Sequence, residues 1–356
     1  IDTQAQSLNN DGGKLLAAQN IRMDSGHLSN RAEGLVRGQN VLVNSLDFDN
    51  TNGAVLALGQ LTVNAQALTN HNGGLLQSSG DMLIQAKSIA NTASGATGGL
   101  VSKGQQTIQA ENLNNQGGYV EATGAQTITL AQGLDNSNGG QILAKSTSTI
   151  QSQSLDNQGG RIDAHGDLTL KVIGAVQNAG GKLTSDAALN VNAQSVDNTG
   201  GGSLSAYAIA LTADYVDNRG GNLAATDSLA LLTKEMKNDA GLATSRRALD
   251  VKAASLSNAG GQMVGDGSVK VTTDSQSLGG TIASANRVEL VLSGDFTNTG
   301  LLSARQHLEI SAANISNTGT LRSDRDLVAN TTGLLSNSGE ISAINTTLNA
   351  GTLNNT

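Results

Sequence analysis

Apolar and polar residues alternate in short runs along this chain, and the runs recur about every 20 residues. One example begins with Leu155–Asn157, continues after two glycines with Arg161–Ala164, in which Ile162 and Ala164 share a face, and ends with Leu168–Leu170. Period-two alternation over such short runs is typical of β-strands. No stretch keeps apolar residues at helical spacing for three turns. Each repeat therefore predicts three short strands joined by turns.

Each repeat contains an apolar residue, an asparagine two positions later and then a glycine pair, as in Leu155, Asn157 and Gly159–Gly160. Such a repeat has to be recognised before any single motif is interpreted. The first and last asparagines of the series are 345 residues apart, or 17 steps of about 20 residues when the gap from 258 to 298 is counted as two. The series consists of Asn10, Asn30, Asn50, Asn70, Asn91, Asn115, Asn136, Asn157, Asn178, Asn198, Asn218, Asn238, Asn258, Asn298, Asn317, Asn337 and Asn355.

Three strands in about 20 residues are too few for a propeller blade, which takes four strands and about 40 residues, but they suit one triangular coil. We predict an all-β fold, a right-handed parallel β-helix of about 18 coils with about 20 residues per coil, because crossovers between parallel strands are right-handed by strong preference. One domain, 1–356, is expected. With coils about 4.8 Å apart it would be a rod of roughly 80 Å, in which each coil buries its apolar side only against its neighbours.

Some repeats depart from the pattern. The turn Thr92–Gly99, after Asn91, is about four residues longer than usual and is expected to bulge from the rod. Near residue 278 the repeat degenerates to Ser275–Gly280, with Ser277 where the asparagine is expected. After Asn298 the glycine pair shrinks to single glycines, which are Gly300, Gly319 and Gly339. We expect a weaker coil at Ser277 and tighter turns in the C-terminal coils.

The recurring asparagine is best explained as a structural residue. By alternation it points into the core like the apolar residue two places earlier, and a buried amide must be hydrogen-bonded. Amides stacked about 4.8 Å apart can link into a ladder along the axis, and the glycines that follow permit a sharp bend. We therefore predict a structural ladder of all the asparagines in the series, with no catalytic, cofactor-binding or metal-binding role.

Composition narrows the function. The 356 residues contain 44 glycines but no proline, which is confined to edges and bulges of sheets, and no cysteine, so disulfides and thiolate metal sites are excluded. A net charge of −8 disfavours nucleic-acid binding. The sequence contains no run of 18 apolar residues, so we expect no membrane insertion. Because residue 1 and the last residue fall within the repeat, we expect an internal fragment of a longer protein.

The repeated unit, Leu-x-Asn-x-Gly-Gly-x-Leu followed by an alternating strand, resembles the haemagglutinin repeats of two-partner secreted exoproteins over all 356 residues. These include filamentous haemagglutinin-type adhesins, HecA-type adhesins and contact-dependent growth-inhibition exoproteins. The resemblance implies a secreted, surface-exposed β-helical shaft that holds an adhesive or toxin-delivering tip away from a bacterial cell. It also implies an outer-membrane transporter as the partner in export, and a cell-surface receptor. We expect a monomer, and we assign to this chain neither the secretion domain nor the toxin of such families.

Residues with other possible chemistry are scattered. His27, His71, His165 and His307 occupy different repeat positions, which does not favour a metal site. Asp135 with Asp156, and Asp197 with Asp217, are expected on adjacent coils, where paired carboxylates can bind calcium or act as acid and base. If the asparagine points inward, however, these aspartates point into solvent.

Two alternatives to the shaft remain open. The segment itself can be a binding module, through the Asn91 bulge or the outer strand faces, or it can be a polysaccharide-active β-helix. Sugar sites usually contain aromatic platforms, whereas this chain has only Phe48, Phe296, Tyr119, Tyr207 and Tyr215. Tyr207 and Tyr215 are expected on one coil but on different strands. Ice binding needs a threonine array, which Thr127–Thr129 and Thr147–Thr149 begin but do not continue. We therefore predict a protein that is not an enzyme and has no cofactor.

Overall fold

A computed structural model describes residues 1–95, 97–274 and 276–356. Contacts between Cα atoms divide the chain into two compact units, Ile1–Ala187 and Ala188–Thr356. All regular elements in the described residues are β-strands, and the strand pairs within each unit are parallel. The predicted all-β parallel β-helix of about 18 coils is confirmed, and its handedness stays a prediction. No helix among the described residues is long and apolar enough to cross a membrane.

The first unit contains the strands β1 Asp2–Asn9, β2 Lys14–Leu16, β3 Ile21–Ser29, β4 Leu35–Gly38, β5 Val41–Asp49, β6 Ala54–Ala57, β7 Leu61–Thr69, β8 Leu75–Ser78, β9 Met82–Ala90, β10 Gly99–Ser102, β11 Gln106–Ala110, β12 Asn112–Asn114, β13 Tyr119–Ala122, β14 Gln126–Leu130, β15 Gly133–Asp135, β16 Gln141–Ala144, β17 Ser148–Ser152, β18 Ser154–Asp156, β19 Arg161–Ala164, β20 Leu168–Val172 and β21 Ala175–Gln177. The next strand, β22 Lys182–Asp197, contains the residue at which the units divide.

The second unit continues with β23 Ser203–Asp217, β24 Asn222–Lys237, β25 Leu242–Ser245, β26 Ala248–Ser257, β27 Gln262–Gly265, β28 Ser268–Thr273, β29 Gln276–Leu278, β30 Thr281–Ser284, β31 Arg287–Leu292, β32 Phe296–Asn298, β33 Leu301–Ala304, β34 His307–Ala312, β35 Ile315–Asn317, β36 Thr320–Ser323, β37 Asp326–Thr331, β38 Leu334–Asn337, β39 Glu340–Ser342, β40 Asn345–Asn349 and β41 Thr352–Asn355.

Apart from β26 and β29, which are not paired with each other in the described residues, each strand pairs in register with the equivalent strand of the neighbouring coil. In β16 and β19, for example, Ile142 is the partner of Ile162. Because side chains alternate between the faces of a strand, equivalent aliphatic residues stack inward coil after coil, as Ile128, Ile150 and Leu170 do. The core in each unit is therefore a set of aliphatic columns.

The three strands of a coil are not always separate. They are distinct in the coil of β18, β19 and β20, as predicted, but one strand of 15 residues, β23, runs through two corners. At its first corner the pairing register shifts between Ala206 and Ala208, where only Tyr207 intervenes. A corner this short bends without interrupting the strand. Tyr207 and Tyr215 consequently lie in one strand rather than on two.

Candidate functional site: the asparagine ladder

The first strand of each coil delivers an apolar side chain and the asparagine to the core. Leu155 and Asn157 flank Asp156 and are 1% and 0% exposed, whereas Asp156 is half-buried. Most members of the series are equally buried, while Asn355, in the last coil, is exposed. The amide of Asn157 therefore depends on partners inside the protein.

Neighbouring asparagines within each unit are joined by side-chain hydrogen bonds. Asn157 accepts a bond of 2.7 Å from Nδ2 of Asn136 at its Oδ1 atom and donates one of 2.7 Å to Oδ1 of Asn178. The same donation, at 2.7 or 2.8 Å, runs from Asn10 to Asn30, Asn50, Asn70, Asn91, Asn115 and Asn136 in the first unit. In the second unit it joins Asn198, Asn218, Asn238 and Asn258, and then Asn298, Asn317, Asn337 and Asn355.

The ladder has a direction. In every one of these bonds the donor is Nδ2 and the acceptor is Oδ1 of the asparagine that comes later in the sequence. Nδ2 of Asn157 also lies 3.4 Å from the carbonyl of Gly160 and 3.2 Å from that of Lys182, in the following coil. An asparagine is thus fully bonded only when the next coil is in place.

The ladder is interrupted at Leu278, which corrects the expectation that Ser277 takes the asparagine position. Strand β29 pairs Leu278 with Asn298 and Ser277 with Thr297. Leu278 is buried and Ser277 is exposed, so an apolar side chain occupies the ladder position. Nδ2 of Asn258 instead contacts the carbonyls of Gly261 and Thr281, at 3.3 and 3.5 Å. Ser275, also in the degenerate repeat, lies outside the described residues.

The two glycines beside each asparagine are required for different reasons. Gly159 has a φ of +64° and open space around it, so its role is conformational. Gly160 does not have a positive φ, but a Cβ atom there would lie 2.0 Å from the carbonyl oxygen of Asn136 and 2.7 Å from Oδ1 of Asn157. The second glycine therefore makes room for the ladder. In the coil of Asn238, Ala240 occupies the position equivalent to Gly159 and also has a positive φ, of +52°.

The residue before the ladder asparagine has a structural role that the sequence did not reveal. Oδ1 of Asp156 accepts the backbone N–H of Gln158 at 2.9 Å, and Oδ1 of Asp135 accepts that of Ser137 at 3.0 Å. Asn114 makes the same contact with Gln116. Such Asx turns fix the start of the bend. The sequence feature that indicates these turns is the recurrence of Asp or Asn immediately before the ladder asparagine.

The predicted aspartate pairs have their carboxylates in these turns. Asp135 and Asp156 are register partners, as expected. Asp197 accepts the N–H of Thr199 at 3.0 Å, and Asp217 binds the guanidinium of Arg219 at 2.7 Å. The described residues contain no group of three or more His, Cys, Asp or Glu side chains that could hold a metal ion.

The histidines lie apart and contact different partners. His27 and His165 face Asp47 and Asp186 through Nδ1, at 2.9 and 3.3 Å. His307 lies 3.4 Å from Glu309, and His71 contacts the hydroxyl of Thr92. The four imidazoles are not brought together.

A second buried ladder in the first unit was missed in the sequence. Gln106 and Gln126 are essentially unexposed, and Nε2 of Gln126 donates to Oε1 of Gln106 at 2.9 Å. Ser148 extends the row by donating to Oε1 of Gln126 at 2.9 Å. The sequence feature that indicates their inward position is the alternation of side chains along a strand, since Gln106 and Gln126 each precede an inward isoleucine by two residues.

The long turn after Asn91 is partly buried. Ser94 is unexposed, and its hydroxyl accepts the N–H of Tyr119 at 3.1 Å, while Gly95 and Thr97 are exposed. Ala96 lies outside the described residues. The turn therefore fastens to the next coil through Ser94, while Ala93, Gly95 and Thr97 are exposed to solvent.

Comparison with known proteins gives one family and one curated relative. The family model described as "Haemagglutinin repeat" matches residues 2–47, 41–96, 84–138, 127–179, 172–232, 204–300, 264–339 and 302–356. The chain is 31% identical over 176 residues to "Toxin CdiA" of Escherichia coli, a match that covers 37% of this chain and 5% of that protein. The chain thus spans a small part of the curated relative it matches. No solved structure gives a significant match.

Proposed function

Because the chain belongs to the haemagglutinin-repeat family, we propose that it is a single shaft segment, 1–356, of a secreted bacterial exoprotein displayed at the cell surface. The segment holds an adhesive or toxin-delivering tip away from the producing cell. The named relative is a toxin, and the toxic activity itself is not attributed to this chain. An outer-membrane transporter of the two-partner type exports the whole protein.

The observation that carries this proposal is the near-identity of successive coils. Strand register, the inward asparagine and the glycine beside it recur from Asn10 to Asn258 and again from Asn298. Uniform coils can be stacked to extend a shaft, because each coil forms the same interface with its neighbours. A site for chemistry, by contrast, requires coils that differ where the site lies. The same uniformity supports a role without catalysis.

A coil exchange in the full-length exoprotein tests the shaft role. Residues 1–356 are replaced by the same number of coils from an unrelated parallel β-helix, and attachment or toxin delivery to target cells is measured. A shaft predicts that function survives the exchange. A matched variant that shortens the segment by half, at unchanged surface display, should reduce delivery. Loss of function on exchange at equal length and equal display would contradict the proposal.

The second candidate function is direct receptor binding by this segment, favoured by the exposed Gly95 and Thr97 in the long turn after Asn91. Replacing Thr92–Gly98 by the short turn Gln158–Gly160 removes both exposed residues. If the segment is a receptor-binding module, soluble protein should lose cell attachment after this change, whereas a shaft should not. Turnover of a polysaccharide panel that Asp156→Asn abolishes would instead indicate an enzyme.

A further inference from the structure

Three asparagines in the first unit are followed directly by a glycine. The pairs are Asn52–Gly53, Asn72–Gly73 and Asn138–Gly139, and each asparagine stands two positions after the ladder asparagine of its coil. None of the ladder asparagines is itself followed by glycine. The asparagines of the three pairs are all exposed and have positive φ angles of +51°, +49° and +54°. Because the asparagines are alike, a difference in reactivity between the pairs has to come from the glycines.

The first of these glycines, Gly53, is enclosed by the folded chain. It is buried, and a Cβ atom there would lie 1.7 Å from the carbonyl oxygen of Asn30. Its N–H donates to the carbonyl of Asn50 at 3.1 Å. It is the second glycine of its turn and corresponds to Gly160. Water reaches this N–H only when the coil opens.

The turns of the other two pairs contain one extra residue, and in both it is the glycine of the pair. Gly73 and Gly139 have φ angles of +82° and +80°, and beyond the chain neighbours no atom lies within 4 Å of a Cβ atom placed on either. The N–H of Gly73 donates to the carbonyl of Ala93 at 3.2 Å. Gly139 is exposed, and its N–H donates to no other group in the part of the chain that the structure describes. Gly139 thus combines open surroundings with a free N–H.

We propose that Asn138–Gly139 is a site of spontaneous deamidation in the folded protein. A base from solvent removes the proton from the backbone nitrogen of Gly139, and this nitrogen attacks Cγ of Asn138. The new N–Cγ bond closes a cyclic imide, while the Cγ–Nδ2 bond breaks and ammonia leaves. Water then adds to either carbonyl of the imide and reopens the ring. The products are aspartate and isoaspartate at position 138, and no oxidant or reductant takes part.

Two properties of Gly139 favour this attack over the same reaction in the other pairs. The lack of a side chain leaves the approach to Cγ open, and the free N–H has no acceptor to give up. At Gly73 a hydrogen bond has to break first, and at Gly53 the coil itself has to open. The asparagine also has to rotate out of its left-handed conformation, but this step relieves crowding at its Cβ atom and is common to all three sites.

The fold around the site can retain the product. Nδ2 of Asn136 lies 3.1 Å from the carbonyl of Gly140 and 3.1 Å from that of Arg161, so both ends of the turn are held by the ladder. Isoaspartate lengthens the backbone by a methylene group, and the open space at Gly139 accommodates it. The strands on either side therefore keep their register. The inference does not depend on the shaft role, because the reaction needs only water and this turn.

Peptide mass spectrometry of the intact 356-residue chain after incubation at mildly alkaline pH tests the inference. The fraction of acid is measured at each pair, and isoaspartyl methyltransferase with a labelled methyl donor identifies isoaspartate. Asn138 should react about fivefold faster than Asn72, the factor expected for one hydrogen bond, and Asn52 should react most slowly. The Tm should not change as isoaspartate accumulates. In concentrated urea, where the turns are lost, the three rates should be similar.

Two variants exchange the structural positions while keeping the dipeptide. Deleting Gly139 joins Asn138 to Gly140, so this turn becomes the counterpart of Asn50–Gly53. Its glycine is then the crowded one, and deamidation should slow to the rate at Asn52. Inserting one glycine after Asn52 makes the reciprocal change and should accelerate deamidation there. The Asn–Gly pair that neither variant alters reports whether the coils remain folded.

Several results would overturn the inference. They are equal rates at Asn138 and Asn72 in the folded protein, an unchanged rate after deletion of Gly139, and loss of β-sheet circular dichroism in step with isoaspartate formation. If the deletion variant reacts faster at every pair, it has unfolded, and the insertion variant decides. Acceleration at Asn52 then supports the inference, and no acceleration there refutes it.

Discussion

At the residue scale, the ladder explains why an asparagine rather than any other polar residue recurs. The position needs one acceptor for the preceding coil and donors for the following coil, and only a side-chain amide on a short stem supplies both there. Asn157 makes these contacts with Asn136 and Asn178 while fully buried. Asparagine is therefore selected by the stacking of coils and not by the turn alone.

Asn157→Ala should lower the free energy of unfolding by about 1–3 kcal/mol, because Nδ2 of Asn136 and Oδ1 of Asn178 each lose a partner in a buried site. Asn157→Asp should cost more at pH 7, because it places a carboxylate beside Oδ1 of Asn178 with no donor to compensate. Asp156→Asn is the matched control and should have little effect, since an amide oxygen can accept the same N–H. Urea denaturation measures all three, and a larger effect of Asp156→Asn would contradict the assignment.

The glycine pair gives a second comparison at this scale. Gly159→Ala should cost about 1–2 kcal/mol, the price of a left-handed backbone for a residue with a Cβ atom. Gly160→Ala should be the more harmful change, because its Cβ atom would overlap the carbonyl oxygen of Asn136 and backbone must move. Gly159→Asn should be nearly neutral, as Asn52 occupies the equivalent site with a φ of +51°. Thermal unfolding would refute this account if the order of the two alanine variants were reversed.

An ion pair in the first unit predicts a pH dependence. The Arg31 guanidinium, 2.8 Å away, and the Ser29 hydroxyl lower the pKa of Asp11 from 3.8 to about 2. A depressed folded-state pKa contributes stability that is present above about pH 4 and is lost as the pH falls towards 2. Asp11→Asn and Arg31→Gln should therefore each flatten the dependence of Tm on pH in this window, and the double variant should add little. Fully additive effects in the double variant would exclude the pair as the cause.

At the scale of a single element, β29 is the irregular strand. Polar Gln276 and apolar Leu278 stand where the next coil has Phe296 and Asn298, so the pattern is inverted. In the described residues, β29 pairs with β32, and no strand pairing joins it to β26. This coil should therefore open more readily than its neighbours.

Hydrogen exchange tests this prediction. The amides of Ser255–Ser257 and Gln276–Leu278 should exchange faster than their equivalents Phe296–Asn298. The variant Gln276→Leu/Leu278→Asn restores the repeat and should slow exchange about tenfold, equivalent to about 1.4 kcal/mol. The single variant Gln276→Leu, which leaves the ladder broken, is the control. Equal protection of all three segments in the parent would remove the basis for a weak coil.

The same element illustrates how far the sequence can predict this structure. Periodicity predicts the strands and their parallel pairing, because each coil repeats the residues that face the core. It misplaced the break by one residue, because the glycine pair Gly279–Gly280 was used to align a repeat that is one residue shorter there. It also missed the bond between Gln106 and Gln126, since alternation places both residues in an inward column but does not show that their side-chain amides are hydrogen-bonded. The direction of the ladder depends on how each asparagine orients its Nδ2 and Oδ1 atoms, and the spacing of asparagines in the sequence does not specify that orientation.

At the scale of the whole molecule, stability should be a sum over coils and the interfaces between them. Deleting residues 142–161 removes one coil and joins Gln141 to Ile162, the register partner of Ile142. Asn136 can then donate to Asn178 in place of Asn157. We therefore expect a folded protein with unchanged β-sheet circular dichroism and a urea m-value lower by roughly one part in eighteen. Deleting residues 142–151 removes half a coil, puts polar side chains into the aliphatic columns and should prevent cooperative folding. If the two deletions were equally harmful, the coils would not be interchangeable units, and length could not be adjusted by adding or removing them.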